Sequence, residues 1–577
     1  MITNFYHEPS IDTTLISLQH MEIRVRLPIE ASQVRLIYWN KYKTEQYGIL
    51  HQPMEAWSQT VEYAYYRTIL TGMESRIRYL QYTFHYTIEG ESYWLTTEGL
   101  HNEDTRKGGF AIPYAGDRDV IGTADWISNR VWYQIFPERF CNGDASNDPA
   151  NVESWGCPPT RDNQMGGDIQ GIISKLDYLT NLGINALYIN PLFKATSNHK
   201  YDTMDYFQID PQFGTIEDLK LLVSRCHELD IKVVLDLVFN HCGYEHPLFQ
   251  DVIKNGESSV YRDWFYINEF PVVRSEVHYD SVGYYQWMPK LRTSNLHVQQ
   301  YIFEIVSFWQ KETGIDGWRI DVADEVEISF LRELKSVVKR INPNAFIIAE
   351  IWHDAKSLMM SGGTDSAMNY AWRSIVFDYI LDRSISLGQF HARLTDLAHR
   401  YSLRELHQMY NLLGSHDTER IMTRCKENAS DYLLLQAIQF IFPGNPVIYY
   451  GDELGLIGDN DPDCRACMPW DTDVLHSPIF NQTQSWVQHK KSHTVLQDGL
   501  VELIYLGESE CYAMKRRNEH QEITLLLNFH HSSILLQPVL HQLNLSINHL
   551  ITEPGSLDAN PTHIGPRQFL LFQNNII

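Results

Sequence analysis

The sequence has none of the features of a membrane protein or of a nucleic-acid-binding protein. It contains no run of about 18 apolar residues. Residues 1–8 carry neither the basic stretch nor the apolar core of a secretory signal. Positive charge is also scarce, because 47 Lys and Arg residues face 72 Asp and Glu residues, a formal net charge of −25. We therefore expect a cytoplasmic protein that binds neither nucleic acid nor membrane.

Cysteine is also scarce, with eight residues in a chain of 577. Their thin spread is typical of free thiols in a reducing compartment. Cys464 and Cys467 have CxxC spacing, which occurs in metal and redox sites, but no second pair is present to complete a zinc tetrad. We therefore interpret this pair as ordinary structural cysteines.

The length of the chain exceeds what one hydrophobic core usually supports, so the sequence predicts several domains. Residues 1–120 contain β-rich runs and predict an N-terminal β-sandwich. Residues 121–496 alternate short apolar strands with helical stretches, which is typical of an α/β domain. Strand patterns return after that point, so residues 497–577 are predicted to form a C-terminal β-sandwich domain.

Eight short apolar segments of the central domain have the pattern of parallel β-strands. They are residues 131–140, 185–192, 232–240, 317–323, 345–351, 367–372, 407–413 and 446–451. Eight βα units predict a (β/α)8 TIM barrel, whose active site lies at the C-terminal ends of the strands. The third and fourth strands are too far apart for a single crossover helix. Residues 243–290 are therefore predicted to form a small excursion that covers the site.

Acidic residues follow three of the predicted strands: Asp321 after the fourth, Glu350 after the fifth and Asp417 after the seventh. Cleavage of a glycosidic bond passes through an oxocarbenium-like state, so it needs a proton donor and a carboxylate on the opposite side of the sugar ring. Any one of these residues could equally be a helix N-cap or a solvated loop residue. All three together at strand ends favour a catalytic site for glycoside cleavage.

The sequence neighbours of these carboxylates suggest their roles. Arg319 and Asp321 are two residues apart, so strand alternation puts both on one face, where the guanidinium would keep the carboxylate ionised, as a nucleophile requires. Glu350 follows an apolar strand and precedes Trp352, an environment expected to favour its protonated form, as a proton donor requires. Asp417 is expected to hydrogen-bond the sugar hydroxyls.

Four segments match the motifs of a known family. They are DLVFNH at 236–241, GWRIDVA at 317–323, EIWH at 350–353 and NLLGSHD at 411–417. With them the chain resembles the α-amylase superfamily, glycoside hydrolase family 13. HKYDT at 199–203, MPKL at 288–291 and GNPVIYYGDE at 444–453, with the N-terminal β domain, are similar to the neopullulanase, cyclomaltodextrinase and maltogenic amylase group.

The resemblance implies a retaining α-glucan hydrolase with Asp321 as nucleophile, Glu350 as proton donor and Asp417 as transition-state stabiliser. It also implies substrate contacts from Tyr201, His241, Arg319, His416, Asp461 and Arg465. The implied substrates are cyclodextrins, pullulan and maltooligosaccharides, cleaved at α-1,4 bonds and at some α-1,6 bonds. The group also implies a homodimer formed through the N-terminal domain.

Two positions depart from the usual pattern of the group and put its fine specificity in doubt: Arg292 and Asp324 each stand where Asn is more common. Two rival functions are considered. A transglycosylase or branching enzyme would share every catalytic residue and differ only in whether water or sugar is the acceptor. A catalytically inactive sugar-binding protein on the same barrel usually lacks one or more of the carboxylates, and all three are present here.

Several oxygen-bearing side chains are clustered after the first predicted strand. They are Asn142, Asp144, Asn147, Asp148 and Asp168, with the carbonyl of Gly166. Hard oxygen ligands on a loop suit Ca²⁺ better than a transition metal. On the residues alone an Asx-rich turn explains the cluster better, whereas the resemblance implies a structural calcium site.

Overall fold

The computed structural model describes residues 5–122, 124–470, 477–507, 511–551 and 561–576. Its N-terminal part consists of two antiparallel sheets, with strand orders β1-β2-β6-β5 and β4-β3-β7-β8-β9, and with β10 beside β7. The strands are β1 Thr13–Ser17, β2 His20–Pro28, β3 Ser32–Asn40, β4 Ile49–Pro53, β5 Glu55–Gln59, β6 Tyr63–Thr71, β7 Arg78–Ile88, β8 Glu91–Thr96, β9 Gly99–His101 and β10 Phe110–Tyr114. Both sheets contribute to one buried core, to which Ile23, Val25, Leu36 and Phe84 belong. The predicted N-terminal sandwich is confirmed.

The central part contains eight parallel strands in the order β18-β17-β16-β15-β12-β11-β20-β19, and a separate hairpin of β13 and β14. The strands are β11 Trp132–Ile135, β12 Ala186–Ile189, β13 Phe193–Ala195, β14 Thr203–Ile209, β15 Lys232–Leu237, β16 Gly317–Ile320, β17 Phe346–Ala349, β18 Ser366–Ala367, β19 Tyr410–Leu412 and β20 Asn445–Tyr449. A parallel bridge between Met368 and Tyr410 joins the two ends of the sheet. The predicted TIM barrel is confirmed.

Helices alternate with the barrel strands and cover their outer face. The helices of the chain are α1 Pro9–Asp12, α2 Thr44–Tyr47, α3 Pro137–Phe140, α4 Ile169–Ser174, α5 Leu176–Leu182, α6 Ile216–Glu228, α7 Pro247–Asn255, α8 Leu296–Thr313, α9 Ile328–Ile341, α10 Lys356–Met360, α11 Tyr370–Ile380, α12 Leu387–Arg400, α13 Leu403–Gln408, α14 Ile421–Arg424, α15 Ala429–Ile441, α16 Pro478–Ser492, α17 Thr494–Asp498 and α18 Leu536–Gln542. No helix in the described part of the chain is both long and apolar enough to cross a bilayer.

Each barrel strand is shorter than its predicted segment, and for the sixth and seventh strands a helix cap gives the reason. Only residues 366–367 of the sixth strand are extended, because the Asn369 side chain accepts a hydrogen bond from the Trp372 N–H and starts α11. The seventh strand begins at Tyr410, since a capping box between Ser402 and Glu405 starts α13 upstream of it. In both places a side-chain cap outweighs the apolar pattern.

The segment between β15 and α8 leaves the barrel, as the sequence predicted. It holds α7 and a few isolated antiparallel bridges, among them Phe265 with Leu291 and His241 with Lys290. The second of these bridges brings the end of the segment back to His241, in the loop that follows β15. The segment therefore lies beside the C-terminal ends of the barrel strands.

The C-terminal part contains a five-stranded antiparallel sheet in the order β21-β22-β23-β27-β25 and a two-stranded sheet of β24 and β26. The strands are β21 Leu500–Tyr505, β22 Cys511–Arg517, β23 Gln521–Asn528, β24 Ile534–Leu535, β25 Leu550–Ile551, β26 His563–Ile564 and β27 Gln568–Asn575. The helix α18 packs into the same core through Leu536 and Leu540. A C-terminal sheet domain is confirmed, and its helix was not predicted.

Candidate active site

The three predicted catalytic carboxylates meet at one end of the barrel. Asp321 follows β16 directly and Glu350 follows β17 directly, while Asp417 lies in the loop after β19. Asp321 and Glu350 are 5% and 6% exposed, so only a small part of each residue is accessible to a ligand. This is the end at which TIM-barrel enzymes bind their substrates.

The guanidinium of Arg319 is the centre of the cluster and is fully buried. Its Nη1 donates to Asp236 at 2.9 and 3.0 Å and to Asp321 Oδ1 at 2.8 Å. Its Nη2 lies 2.8 Å from Glu350 Oε2. One positive charge therefore serves three carboxylates, whereas the sequence suggested that it served Asp321 alone.

Asp321 keeps one carboxylate oxygen open. Arg319 occupies Oδ1, while the buried Oδ2 has no hydrogen-bond partner in the described part of the chain. The nearest ring nitrogen is His241 Nε2, at 3.9 Å, which is too far for a hydrogen bond. Burial raises the pKa of Asp321 well above its usual range; Arg319 opposes this shift, and the charge of Glu350 adds to it.

The raised pKa of Asp321 differs from the expectation that Arg319 alone would keep this carboxylate ionised. Arg319 contacts Glu350 as well as Asp321, and the negative charge of Glu350 adds to the rise in the pKa of Asp321 that burial causes. One ionised and one protonated carboxyl group is the charge state that retaining glycoside cleavage uses.

Glu350 lies among hydrogen-bond donors, not in the apolar environment that the sequence indicated. Trp352 Nε1 donates to Oε1 at 3.1 Å, and the backbone N–H of Val322 donates to Oε2 at 2.9 Å. Val322 has a φ of 46°, an unfavourable conformation for a β-branched residue, and it aims this N–H at the carboxylate. The Trp352 indole stacks on Tyr370 with ring centroids 4.0 Å apart, which holds the donor in place.

Asp417 has two basic neighbours. His416 Nε2 lies 3.0 Å from Oδ2, and Arg465 Nη2 donates to Oδ1 at 3.3 Å. Burial acts to raise the pKa of Asp417, but the charges and hydrogen bonds of His416 and Arg465 outweigh it and lower the pKa well below its usual range. Asp417 is therefore ionised in the free site. Arg465 also pairs with Asp461 at 3.0 Å, so this arginine links the two acids.

Tyr201 connects the two halves of the cluster. Its hydroxyl donates to Asp236 at 2.8 Å and lies 2.6 Å from His416 Nε2, and its ring is parallel to the His416 ring. His241 lies on the Asp321 side, and burial lowers its pKa to about 4. A neutral imidazole can donate one hydrogen bond to a sugar hydroxyl without adding charge to the site.

The structure thus brings all nine predicted catalytic and substrate-binding residues to one mouth. Asp461 is the outermost, with its side chain 34% exposed and 3.8 Å from Arg161. Sequence reasoning assigned no role to three members of the hydrogen-bond network. Asp236 accepts from Tyr188 at 2.6 Å, and Gln134 Nε2 lies 2.8 Å from His416 Nδ1. All three are on barrel strands, and their inward strand positions were the available signal.

The predicted calcium ligands are also brought together. Asn142 donates to Asp148 Oδ1 at 2.7 Å, and Gly166, with a φ of 78°, lies so close that a Cβ there would meet both side chains. The buried Oδ1 of Asn147 has no hydrogen-bond partner in the part of the chain described. Asp168 differs, because backbone N–H groups of Gly143, Asp144 and Gly171 already donate to its oxygens.

The oxygen atoms of this cluster suit a hard cation better as ligands than a transition metal. No group of three or more His, Cys, Asp or Glu side chains within the described residues is arranged to hold a metal. A cation here would depend on Asp148, on amide oxygens and on backbone carbonyls, which Ca²⁺ accepts as ligands. Asp168 acts as the N-cap of α4 and would contribute chiefly by fixing the loop.

Comparison with known proteins agrees with this geometry. Residues 134–499 match the family model described as alpha amylase, catalytic domain, and residues 1–116 match alpha amylase, N-terminal ig-like domain. The chain is 43% identical over 469 residues to a cyclomaltodextrinase of Thermoanaerobacter pseudethanolicus, covering 80% of this chain and 81% of the relative. It is 38% identical to neopullulanase 2 of Thermoactinomyces vulgaris, with 89% and 88% covered. A solved cyclomaltodextrinase structure superimposes with a TM-score of 0.88 at 36% identity, covering 93% of both chains.

Proposed function

The chain belongs to the α-amylase family and is a glycoside hydrolase, and on this premise we propose that it cleaves α-glucosidic bonds with retention through Asp321, Glu350 and Asp417. The observation that carries the proposal is the shared contact of Arg319 with Asp321 and Glu350. Two carboxylates on the two terminal nitrogens of one guanidinium lie close together. Retaining glycosidases use a carboxyl separation of about 5–5.5 Å, against about 6.5–9.5 Å for inverting enzymes.

In the first step Asp321 Oδ2 attacks the anomeric carbon and the glycosidic C–O bond breaks. The leaving oxygen takes a proton from Glu350, which becomes ionised. In the second step Glu350 takes a proton from water, the water oxygen attacks the anomeric carbon, and Asp321 is released. A second sugar in place of water gives transglycosylation by the same steps. Two inversions at the anomeric carbon give net retention.

Six further side chains are proposed to hold the substrate around these three. They are Tyr201, His241, Arg319, His416, Asp461 and Arg465. Asp417, with Arg465 and His416 fixing it, is proposed to accept hydrogen bonds from sugar hydroxyls as the ring distorts. Such bonds to an ionised acceptor strengthen as positive charge develops at the anomeric carbon.

We propose cyclodextrins, pullulan and maltooligosaccharides as substrates, cleaved at α-1,4 bonds and at some α-1,6 bonds. The names of the cyclomaltodextrinase and neopullulanase relatives support the first two. The test is incubation of wild type, Glu350→Gln and the exposed control Glu333→Gln with β-cyclodextrin, pullulan and starch, with chromatography of the products. We expect wild type and Glu333→Gln to prefer the first two and Glu350→Gln to lose activity. Net inversion of the released sugar by NMR would contradict the mechanism.

We also propose a calcium ion at Asn142, Asp144, Asn147, Asp148, Gly166 and Asp168, with a structural role. The unpartnered oxygen of Asn147 supports it. The loop lies between α3 and α4, and none of the three proposed catalytic carboxylates belongs to it. We therefore assign it no step in the reaction. The ion would instead fix the loop that contains Gly166.

A homodimer formed through the N-terminal domain is proposed as well. Exposed tyrosines on that domain support it, namely Tyr42, Tyr79 and Tyr114, which are 69%, 43% and 53% exposed. Tyrosine is enriched at protein interfaces. A cytoplasmic location is proposed in addition, because all eight cysteines are free thiols, as expected in a reducing compartment.

A further inference from the structure

A buried network of charged side chains connects the N-terminal domain to the loop that follows Glu350. We call residues 350–355 the acid loop; it runs from the end of β17 to Lys356, the first residue of α10. Lys356 is 2% exposed, and its Nζ donates to the two carboxylate oxygens of Glu405 at 2.9 and 2.7 Å. Glu405 is fully buried as well. This pair fixes the far end of the acid loop.

The N-terminal domain adds a second ion pair to the first. Arg24 Nη1 donates to Glu22 Oε1 at 3.0 Å, and both side chains are buried. Glu22 Oε2 accepts the backbone N–H of Leu403 at 3.3 Å, and the Thr14 hydroxyl donates to Glu405 at 3.3 Å. Strands β1 and β2 therefore hold the residue that holds Lys356.

Further contacts fix the residues just before Lys356. Asp354 forms an ion pair with Arg400 and accepts the Tyr401 hydroxyl at 2.6 Å. The same hydroxyl accepts the backbone N–H of Ala355 at 3.1 Å. Arg24 Nη2 donates to the carbonyl of Arg400 at 3.3 Å. The C-terminal half of the acid loop is thus held between the 400–405 segment and the N-terminal domain.

The N-terminal half of the acid loop carries the groups that serve the reaction. The backbone of Glu350 is fixed by β16, because its N–H donates to the Ile320 carbonyl at 2.9 Å. Oε1 of its carboxylate accepts a hydrogen bond from the indole of Trp352, whose backbone belongs to the acid loop and whose ring, 48% exposed, stacks on Tyr370. A shift of the loop would move this indole away from Oε1 while leaving the backbone of Glu350 in place.

The energetics of the network favour a geometric role. Glu22, Arg24, Lys356 and Glu405 are two positive and two negative charges, so the group is neutral as a whole. Burial lowers the pKa of Lys356 to about 8, although Glu405 opposes this shift. A buried ion pair of this kind adds little net stability compared with an apolar pair of similar size. Its contribution lies in the single geometry that satisfies its hydrogen bonds.

We propose that Lys356 and Glu405, held by Glu22 and Arg24 of the N-terminal domain, are positioning residues that orient the acid loop so that Glu350 delivers its proton to the leaving oxygen. This inference rests on the role of Glu350 proposed above. It assigns the N-terminal domain a part in catalysis within its own chain.

The test compares a leaving group that needs a proton with one that does not. In maltotriose the leaving glucose oxygen must be protonated, whereas in α-maltosyl fluoride the fluoride leaves without help from an acid. The value of kcat/KM reports the steps up to the first bond cleavage for each. We expect Glu405→Gln and Lys356→Met to lower kcat/KM for maltotriose by about tenfold or more, since misplaced catalytic groups can cost about 100-fold. The value for the fluoride should stay within about threefold of wild type.

Asp365→Asn is the matched control. Asp365 is also fully buried and pairs with Lys335 and Lys339 at 2.8 and 2.9 Å, but it precedes β18 at the opposite end of the barrel. The Asp365→Asn substitution should change kcat/KM for both substrates by the same factor. Where Glu405→Gln fails to fold, the double variant Lys356→Met/Glu405→Leu replaces the pair with apolar groups. We expect the double variant, like the single variants, to lose kcat/KM on maltotriose and to keep it on the fluoride.

Equal losses of kcat/KM on both substrates in Glu405→Gln and Lys356→Met, or no loss in the folded double variant, would overturn the proposal. Glu350→Gln distinguishes the role of Glu350 as the acid from the positioning role of Lys356 and Glu405. If Glu350→Gln loses kcat/KM on maltotriose but not on the fluoride, while Glu405→Gln loses it equally on both, the positioning role alone is rejected. Equal losses in Glu350→Gln itself reject the role of Glu350 and the positioning role with it.

Discussion

Arg319 holds Asp321 by one oxygen only: Nη1 lies 2.8 Å from Oδ1, while Oδ2 has no hydrogen-bond partner among the described residues. The same guanidinium reaches Glu350 through Nη2. The arrangement leaves Oδ2, the oxygen proposed to attack the anomeric carbon, free of competing bonds. It also places the proposed nucleophile and the proposed acid against one positive charge.

Arg319→Lys is expected to lower kcat/KM by about 100-fold or more, because removing one preorganised charged contact in an active site has an effect of this size. A lysine ammonium is a single point and cannot contact Asp236, Asp321 and Glu350 together. Burial already raises the pKa of Asp321 and Arg319 opposes that rise, so the substitution raises it further. The acidic limb of the pH profile of kcat/KM should therefore move to higher pH.

The control for this experiment is Arg130→Lys. Arg130 is buried at the opposite end of the barrel, where it donates to the backbone carbonyls of Trp126, Asn185 and Asp230. Its substitution should leave the pH profile in place. An unchanged acidic limb in Arg319→Lys would show that Arg319 does not set the charge of the nucleophile.

Asp321→Asn is expected to abolish activity and yet to stabilise the protein at neutral pH. The pKa of Asp321 is higher in the folded state than in the unfolded state. The free energy of unfolding therefore falls as the pH rises above the unfolded pKa of about 4. The neutral amide avoids this cost. The gain should be absent below about pH 4 and should grow as pH rises, by about 1.4 kcal/mol for each unit of pKa shift. Thermal unfolding between pH 4 and pH 8 measures it, and a gain that shrinks with rising pH would contradict the assignment.

Strand alternation and the rule that TIM-barrel sites lie at strand ends were sufficient to predict, from the sequence, that Asp321 and Glu350 lie together at one end of the barrel. They could not predict that Arg319 also contacts Asp236, because that contact joins positions 83 residues apart. Neither could they show that the Trp352 indole N–H points at Glu350. That direction is set by stacking on Tyr370, which comes from a different strand end. The charge balance of the site is therefore a tertiary property.

The proposed homodimer predicts a mass in solution of twice 67.3 kDa by light scattering. Because Tyr42 and Tyr114 are the most exposed tyrosines named on the N-terminal domain, Tyr42→Ser with Tyr114→Ser should weaken the association. Val61→Ser is the matched control, since Val61 is 77% exposed on the same domain. A wild-type protein that is monomeric at working concentration would refute the dimer.

The proposed calcium ion predicts that EGTA lowers the melting temperature and that Ca²⁺, but not Mg²⁺, restores it. A ligand at about 100 times its dissociation constant stabilises the folded state by about 2.7 kcal/mol. Asp148 supplies a carboxylate oxygen next to Asn142, so Asp148→Asn should remove the response to EGTA. Asp177→Asn, an exposed substitution on α5 with the same change in net charge, should keep it. If wild type melts at the same temperature with and without EGTA, the cluster is an Asx-rich turn held by its own hydrogen bonds, and Asp168 serves only as the N-cap of α4.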